Sequence, residues 1–178
     1  SLIVPCYNEQ DNVRAFYDAA VNAFLGCGYE YELVMVNDGS RDNTGIELKK
    51  LFYEKREETP ITIVQFSRNF GKEAAMYAGF CNAKGDYIAV MDADLQDDVH
   101  AIEQMVDLYL QGKDVVYGVR SSRKKDTFFK KFTAEGFYKI MQAMGVDIVF
   151  NHADYRLMSK TVLDALSEYK EVNLFLRG

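Results

Sequence analysis

The sequence predicts an α/β domain of the nucleotide-binding kind, a parallel sheet with helices on both faces. Three observations carry this. Strand-like and helix-like segments alternate from Leu2 to Gly118. The runs Leu33-Val34-Met35-Val36 and Ile88-Ala89-Val90-Met91 are apolar at consecutive positions, as expected of strands covered on both sides. Polar residues follow the strand-like segments: Asn8 and Glu9, Asp38, Arg68 and Asn69, Asp92 and Asp94, then Arg120 and Arg123. Ligands of such sheets bind at the carboxyl ends of the strands.

In chain order, residues 2–4 form a short apolar, β-branched strand. Asp11 or Asn12 is placed to cap a helix whose apolar members Val13, Phe16, Ala20 and Phe24 recur at spacings of three and four, and Gly26 and Gly28 end it. Residues 31–36 are the second strand, stopped by Asn37-Asp38-Gly39-Ser40, and a polar helix follows with Ile46, Leu48, Leu51 and Phe52 as its apolar members. Residues 61–66 are a strand, 71–83 a helix rich in small residues, and 86–91 a strand. Residues 98–111 form a helix with Ile102, Met105, Val106 and Tyr109 on one side, followed by a strand at 114–118. Beyond Gly118 the alternation weakens to a helix at 127–144, a short strand at 155–158 and a helix at 160–167.

A chain of 178 residues holds one domain with a sizeable core, so residues 1–178 are expected to be a single domain. A net charge of −6 argues against a nucleic-acid-binding face. Cys6, Cys27 and Cys81 are odd in number and widely spaced, which points to reduced thiols in a cytosolic compartment, expected to serve as small buried hydrophobes. No run of about 18 apolar residues is present to span a membrane. The chain opens directly on the apolar Ser1-Leu2-Ile3-Val4 and stops at Leu176-Arg177-Gly178, so it is expected to be a fragment whose membrane anchor lies elsewhere.

The chemistry concentrates in Asp92-Ala93-Asp94-Leu95-Gln96-Asp97-Asp98. Alternate residues of an extended segment point the same way, so Asp92, Asp94 and Gln96 are expected to converge. Hard oxygen ligands at an open site suit Mg²⁺ or Mn²⁺, which keep positions free for phosphate oxygens and stabilise a departing diphosphate. Asp97 and Asp98 read instead as caps of the next helix. Asp38 is placed to accept hydrogen bonds from a ribose or base edge, in a stretch that is also a good turn sequence. Tyr7 is placed to pack on a nucleobase, with Asn8 and Glu9 ordering its loop.

Arg68 or Lys72 meets phosphate near a helix N-terminus, or else belongs to a solvated charged turn. The basic loop from Gly118 to Lys125, with Arg120 and Arg123, suits an anionic acceptor or is simply exposed. Residues 124–139 interleave basic residues with Phe128, Phe129, Phe132, Phe137 and Tyr138, a pattern of either a helix on an anionic membrane surface or a core helix. Asp154-Tyr155-Arg156-Leu157 sets a carboxylate beside a guanidinium, as a general base would need or as an ion pair would. His100 and His152 have no ligand-like spacing.

In order, Val4-Pro5-Cys6-Tyr7-Asn8-Glu9, Asn37-Asp38-Gly39-Ser40, Ser67-Arg68-Asn69-Phe70-Gly71-Lys72-Glu73, Met91-Asp92-Ala93-Asp94-Leu95-Gln96-Asp97, Val116-Tyr117-Gly118-Val119-Arg120, Asp154-Tyr155-Arg156-Leu157-Met158 and Asn173-Leu174-Phe175-Leu176-Arg177-Gly178 resemble family 2 glycosyltransferases. They look most like the polyprenyl-phosphate glycosyltransferases, the group containing dolichol-phosphate mannose synthase and its bacterial relatives. The resemblance implies a GT-A fold, with a mixed, mostly parallel sheet. It implies that Pro5, Tyr7, Glu9 and Asp38 hold the nucleoside, and that Asp92, Asp94 and Gln96 hold the divalent ion. Arg120 would meet the lipid phosphate and Arg177 the diphosphate. Asn37 stands where many relatives have Asp, and Asp97-Asp98-Val99 where relatives often have a proline-containing turn.

The activity this implies is inverting transfer of a sugar from a UDP- or GDP-sugar to a polyprenyl phosphate at the cytoplasmic face of a membrane. Asp92, Asp94, Asp154 and Arg120 are the candidate catalytic residues, with Arg68, Lys72 and Arg123 as further phosphate contacts. A homo-oligomer is left open. Competing readings are transfer to a saccharide or protein hydroxyl, with Asp154 as the base, and a non-catalytic nucleotide-sugar-binding module. A nucleotidyltransferase would usually carry a Gly-rich, basic phosphate loop near the N-terminus, and residues 5–10 are not one.

Overall fold

The computed structural model describes residues 1–113, 115–119 and 152–167. The elements are β1 (Leu2–Cys6), α1 (Val13–Phe24), β2 (Leu33–Asn37), α2 (Thr44–Lys55), β3 (Ile61–Gln65), α3 (Lys72–Asn82), β4 (Tyr87–Val90), α4 (Ala101–Leu110), β5 (Val115–Val119), β6 (His152–Ser159) and α5 (Lys160–Ser167). The helix expected at 127–144 lies outside the described residues, as do Arg120, Arg123 and Arg177.

Six strands form one sheet in the order β3-β2-β1-β4-β6-β5. β1 pairs in parallel with β2 and β4, and β2 in parallel with β3. The alternation of side chains explains the apolar runs. Leu2, Val4, Cys6, Leu33, Met35, Ala89 and Met91 belong to one core with Phe16 of α1, Leu48 of α2 and Ile102 of α4. Ile3, Val34, Val36, Ile88 and Val90 belong to a second core with Met76 and Phe80 of α3. Each fully buried Leu, Ile or Met side chain contributes roughly 1.5–3 kcal/mol of transfer free energy. The small residues of α3 have a packing reason: a Cβ on Gly79 would sit 2.3 Å from Ile3 Cγ2, so only glycine lets the helix lie this close to β1.

The sheet is mixed and mostly parallel, as the family resemblance implies. The short strand expected at 155–158 is the eight-residue β6, which runs antiparallel between β4 and β5. A short apolar run encodes burial but not its partner or its direction, which is why only the family resemblance implied a mixed sheet. Asn12 occupies the N-cap of α1 but makes no side-chain cap bond; its amide donates to Glu9 Oε2 at 2.6 Å instead. Gly26 and Gly28 follow α1 with φ of 84° and 78°, the left-handed conformation expected of glycines that end a helix. Of the three free cysteines only Cys6 is buried.

The chain winds β1-α1-β2-α2-β3 outward, then α3 crosses the opposite face and delivers β4 beside β1. The strand order reverses between β1 and β4, and a crevice opens outside their carboxyl ends.

Candidate active site

That crevice is a cleft of about 410 Å³ lined by Pro5 near the end of β1, Tyr7 and Glu9 after β1, Asp38 after β2, Asn69, Gly71 and Lys72 at the start of α3, and Asp92, Ala93 and Asp94 after β4. Four carboxylates and one ammonium therefore face it among the described residues. Burial, then the charges of Glu9 and Asp92, push the thiol of Cys6 upward, so this cysteine is a neutral wall and not a nucleophile.

The wall formed by the β1 and β2 loops is cross-laced. The Asn8 N–H donates to Ser40 Oγ at 3.0 Å, and the Arg41 N–H donates to Asn8 Oδ1 at 2.9 Å. The Glu9 N–H donates to Thr44 Oγ1 at 2.8 Å, and that hydroxyl donates to Asp42 Oδ1 at 2.5 Å. The Gln10 N–H donates to Asp42 Oδ2, and the Asn43 N–H to Gln10 Oε1. Asn8 takes φ 57°, a left-handed conformation that asparagine tolerates better than most residues. Asp42 and Thr44 were not singled out from the sequence. The signal present was an Asp two residues before a Thr at a helix start, the spacing of a side-chain-capped turn.

Asp38 is 3% exposed, and its carboxylate is already engaged. Oδ1 accepts from the Phe70 N–H at 2.7 Å, and Oδ2 accepts from the Gly71 N–H at 3.0 Å and from Asn69 Nδ2 at 2.9 Å. The N–H groups just ahead of α3, near the helix N-terminus where Arg68 or Lys72 is expected to meet phosphate, thus already hold the chain's own carboxylate. A carboxylate offers about four acceptor positions, so Asp38 keeps room for one more donor from the cleft. The two loops pack closely: a Cβ on Gly39, whose φ is 61°, would lie 2.1 Å from the Arg68 carbonyl carbon.

The opposite wall follows β4. Ala93 is buried and anchors the loop, while Asp92 and Asp94 line the cleft. Both oxygens of Asp92 face Lys72, with Nζ 2.6 Å from Oδ1 and 2.8 Å from Oδ2. The extended geometry expected for 92–96 is not adopted. Leu95 has φ 55° and the Gln96 N–H donates back to Asp94 Oδ1 at 3.1 Å, so the chain turns. Gln96 is exposed and is not among the lining residues. Asp98 acts as the turn before α4, its Oδ1 accepting the His100 N–H at 3.0 Å. The Asp98 carbonyl accepts the hydroxyl of Tyr155, whose acidity burial, then the charges of Asp98 and Asp97, suppress. Arg68 is exposed, stacked 4.3 Å from the Phe70 ring centroid, and does not line the cleft.

The antiparallel course of β6 matters here. Arg156 pairs with Val90 at the end of β4, so the backbone two residues earlier, at Asp154, runs toward the Asp92 rim. The side chain of Asp154 lies outside the described residues.

Comparison with known proteins gives the family and the fold. An uncharacterized glycosyltransferase of Synechocystis sp. is 39% identical over 179 residues, spanning all of this chain and 55% of the relative. The bactoprenol glucosyl transferase of Shigella phage SfV is 37% identical over 179 residues, spanning all of this chain and 57% of the relative. The chain thus spans about half the length of the curated relatives it matches. Among solved structures, the mannosyltransferase PcManGT from Pyrobaculum calidifontis, in complex with GDP-Man and Mn²⁺, superposes with a TM-score of 0.63 at 21% identity, covering 93% of this chain and 45% of that one. Glucosyl-3-phosphoglycerate synthase from Mycobacterium tuberculosis, in complex with Mn²⁺, UDP-glucose and phosphoglyceric acid, gives 0.66 at 17% identity, covering 91% and 57%. These likenesses establish the GT-A fold. The sequence model of glycosyl transferase family 2 matches residues 1–167, and this chain belongs to that family.

Proposed function

We propose that this chain transfers a hexose, with inversion, from a nucleoside diphosphate sugar to a polyprenyl phosphate, assisted by a divalent ion. The observation that carries the reading is the cleft at the β1–β4 switch, where Asp92 and Asp94 face Tyr7, Glu9 and Asp38 across a space large enough for a nucleotide. The acceptor class rests on the bactoprenol glucosyl transferases, which are similar along the entire chain.

The donor set fits an ion of the Mg²⁺ or Mn²⁺ kind. Asp92 already attracts a cation, the Lys72 ammonium, on both oxygens. Among the described residues no group of three His, Cys, Asp or Glu side chains is arranged to enclose a metal. Two carboxylates at an open cleft leave coordination positions for phosphate oxygens, as Mg²⁺ sites usually do. Asp92 and Asp94 would hold the ion, which when bound supplies neutralising charge for the departing diphosphate. Gln96 would join them only after a rearrangement of the turn at Leu95.

The protein's own groups supply the rest. Tyr7 and Pro5 form the floor under the nucleoside, and the spare acceptor position of Asp38 orients its base or ribose. A phosphate monoester, with a second pKa of about 6, is mostly ionised at neutral pH, so the acceptor needs positioning and screening more than a base. Arg120 and Arg123 would provide that for the lipid phosphate and Arg177 for the diphosphate, roles that rest on the motif resemblance. A lipid acceptor would put the reaction at a membrane surface, in this reading its cytoplasmic face. Among the described residues no helix is long and apolar enough to cross a membrane.

The test is a donor screen on the full-length protein with polyprenyl phosphate, reading nucleoside diphosphate release, with Asp154→Asn in parallel. Near-full activity of Asp154→Asn on lipid phosphate fits this reading. Its collapse, together with turnover of a saccharide acceptor, would instead favour transfer to a hydroxyl.

A further inference from the structure

We propose that Lys72 is the resident counter-cation of Asp92, that it is displaced when a divalent ion enters with the donor, and that this exchange couples metal binding to diphosphate binding. The inference rests on the metal reading above and adds a role that the motif resemblance does not assign.

Lys72 is placed with little freedom. It is the first residue of α3, and the residues before it are fixed by Asp38, which accepts hydrogen bonds from the Phe70 N–H, the Gly71 N–H and Asn69 Nδ2. Gly71 holds φ 100°, a conformation close to glycine-only, so the entry to the helix tolerates no other residue. From there Nζ spans both oxygens of Asp92 at 2.6 and 2.8 Å. A divalent ion using Asp92 approaches the same two oxygens, and repulsion between the ammonium and a divalent ion a few ångströms away favours replacing one by the other.

Charge sets the direction of the exchange. Glu9, Asp38, Asp92 and Asp94 line the cleft against the single ammonium of Lys72, among the described residues. That excess of negative charge repels a diphosphate. One ammonium does not cancel it, whereas a divalent ion between Asp92 and Asp94 removes two charges at once. The Lys72–Asp92 pair is not locked in: the two side chains are 33% and 31% exposed, and pairs this exposed are held weakly. Lysine suits a movable role, being a compact charge on a flexible stem with three donors. Once displaced, its ammonium remains at the start of α3, on the rim where the diphosphate must lie. The ion alone then binds against a resident cation. The ion arriving with a nucleoside diphosphate binds while that cation gains a phosphate partner, so each ligand favours the other.

The test uses Mn²⁺ binding, followed by electron paramagnetic resonance on the full-length protein, with UDP or GDP absent and then present. Lys72→Met should bind Mn²⁺ about tenfold more tightly than wild type without nucleotide, as expected for removing a unit charge a few ångströms from a divalent ion in a solvated site. It should also lose most of the tightening that nucleotide produces in the wild type. Lys72→Arg, which keeps the charge, should stay near wild type without nucleotide. In the Asp92→Asn background, Lys72→Met should change Mn²⁺ affinity by less than about twofold, since the shared carboxylate is gone. If Asp92→Asn weakens Mn²⁺ binding but Lys72→Met leaves it unchanged or weaker, the exchange is overturned and the metal site stands. If neither substitution alters Mn²⁺ binding, the ion is not at Asp92 and both readings fail. Circular dichroism melts of each variant separate these outcomes from misfolding.

Discussion

The two walls of the cleft are built from different interactions. The wall formed by the loops after β1 and β2 is laced by hydrogen bonds between side chains and backbone, among them Asn8 with Ser40 and Arg41, Glu9 with Thr44, and Gln10 with Asp42 and Asn43. The wall after β4 rests on the buried Ala93, a turn closed by Asp94, and a half-exposed ion pair from Lys72 to Asp92. Short-range, directional hydrogen bonds preorganise a surface and lower the entropy lost on binding. A solvated ion pair can exchange partners at small cost. On the proposed reading, the nucleoside side would be a fixed template and the metal side a replaceable charge arrangement.

The largest expected effect is on the replaceable wall. Asp92→Asn should reduce transfer by about a thousandfold in a donor-turnover assay, because a proposed ligand of the ion that would balance leaving-group charge is lost, while the melting temperature stays close to wild type. The template wall should show the opposite signature. Gly39→Ala must adopt φ 61° and place a Cβ 2.1 Å from the Arg68 carbonyl carbon. It should cost about 3 kcal/mol of stability in chemical denaturation, with activity falling only as the fold is lost.

Asp42 tests the lacing more gently. Burial alone would raise its pKa, but the hydrogen bonds from the Thr44 hydroxyl and N–H and the Gln10 N–H outweigh burial and lower it. Because the folded protein holds Asp42 ionised more firmly than the unfolded chain does, its contribution is full at neutral pH. It begins to fall as pH drops to the ordinary Asp value of about 3.9 and is lost below the lower folded value. Asp42→Ala should cost about 1 kcal/mol at pH 7, given that the site is solvent-accessible, and the difference from wild type should shrink below pH about 4. Loss of stability that is independent of pH would show that Asp42 is not the knot. The smallest effect is expected at Gln96→Ala. With Gln96 exposed and outside the cleft lining, Mn²⁺ affinity should change by about threefold at most. A drop as large as that of Asp92→Asn would mean that the turn at Leu95 opens when the ion binds.

Much of this arrangement is legible in the chain, and the illegible part has a physical pattern. The strands read from apolar runs recur as β1 to β5 within two residues at their ends, since a strand covered on both faces has no polar positions to disguise it. Asp92, Asp94, Glu9, Tyr7, Pro5, Asp38 and Lys72 all reach the cleft, because residues at the carboxyl ends of parallel strands have a common rim. Arg68 and Gln96 do not. Arg68 found an aromatic face on Phe70, and Gln96 was expected on an extended segment that turns instead. Local patterns do not show which of two nearby partners a long side chain takes.

By itself the sequence determined the alternation of elements, the two-sided burial of the central strands, and the acidic loop after β4. These depend on periodicity and on turn chemistry within a few neighbouring residues. Only the tertiary structure decided that β6 runs antiparallel between β4 and β5, that Asp38 is committed to the residues leading into α3, and that Lys72 closes on Asp92. The two side-chain contacts join residues 20 to 33 positions apart, and β4 and β6 are farther apart still. Side chains at such separations meet through the packing of whole strands and helices, which no local propensity records.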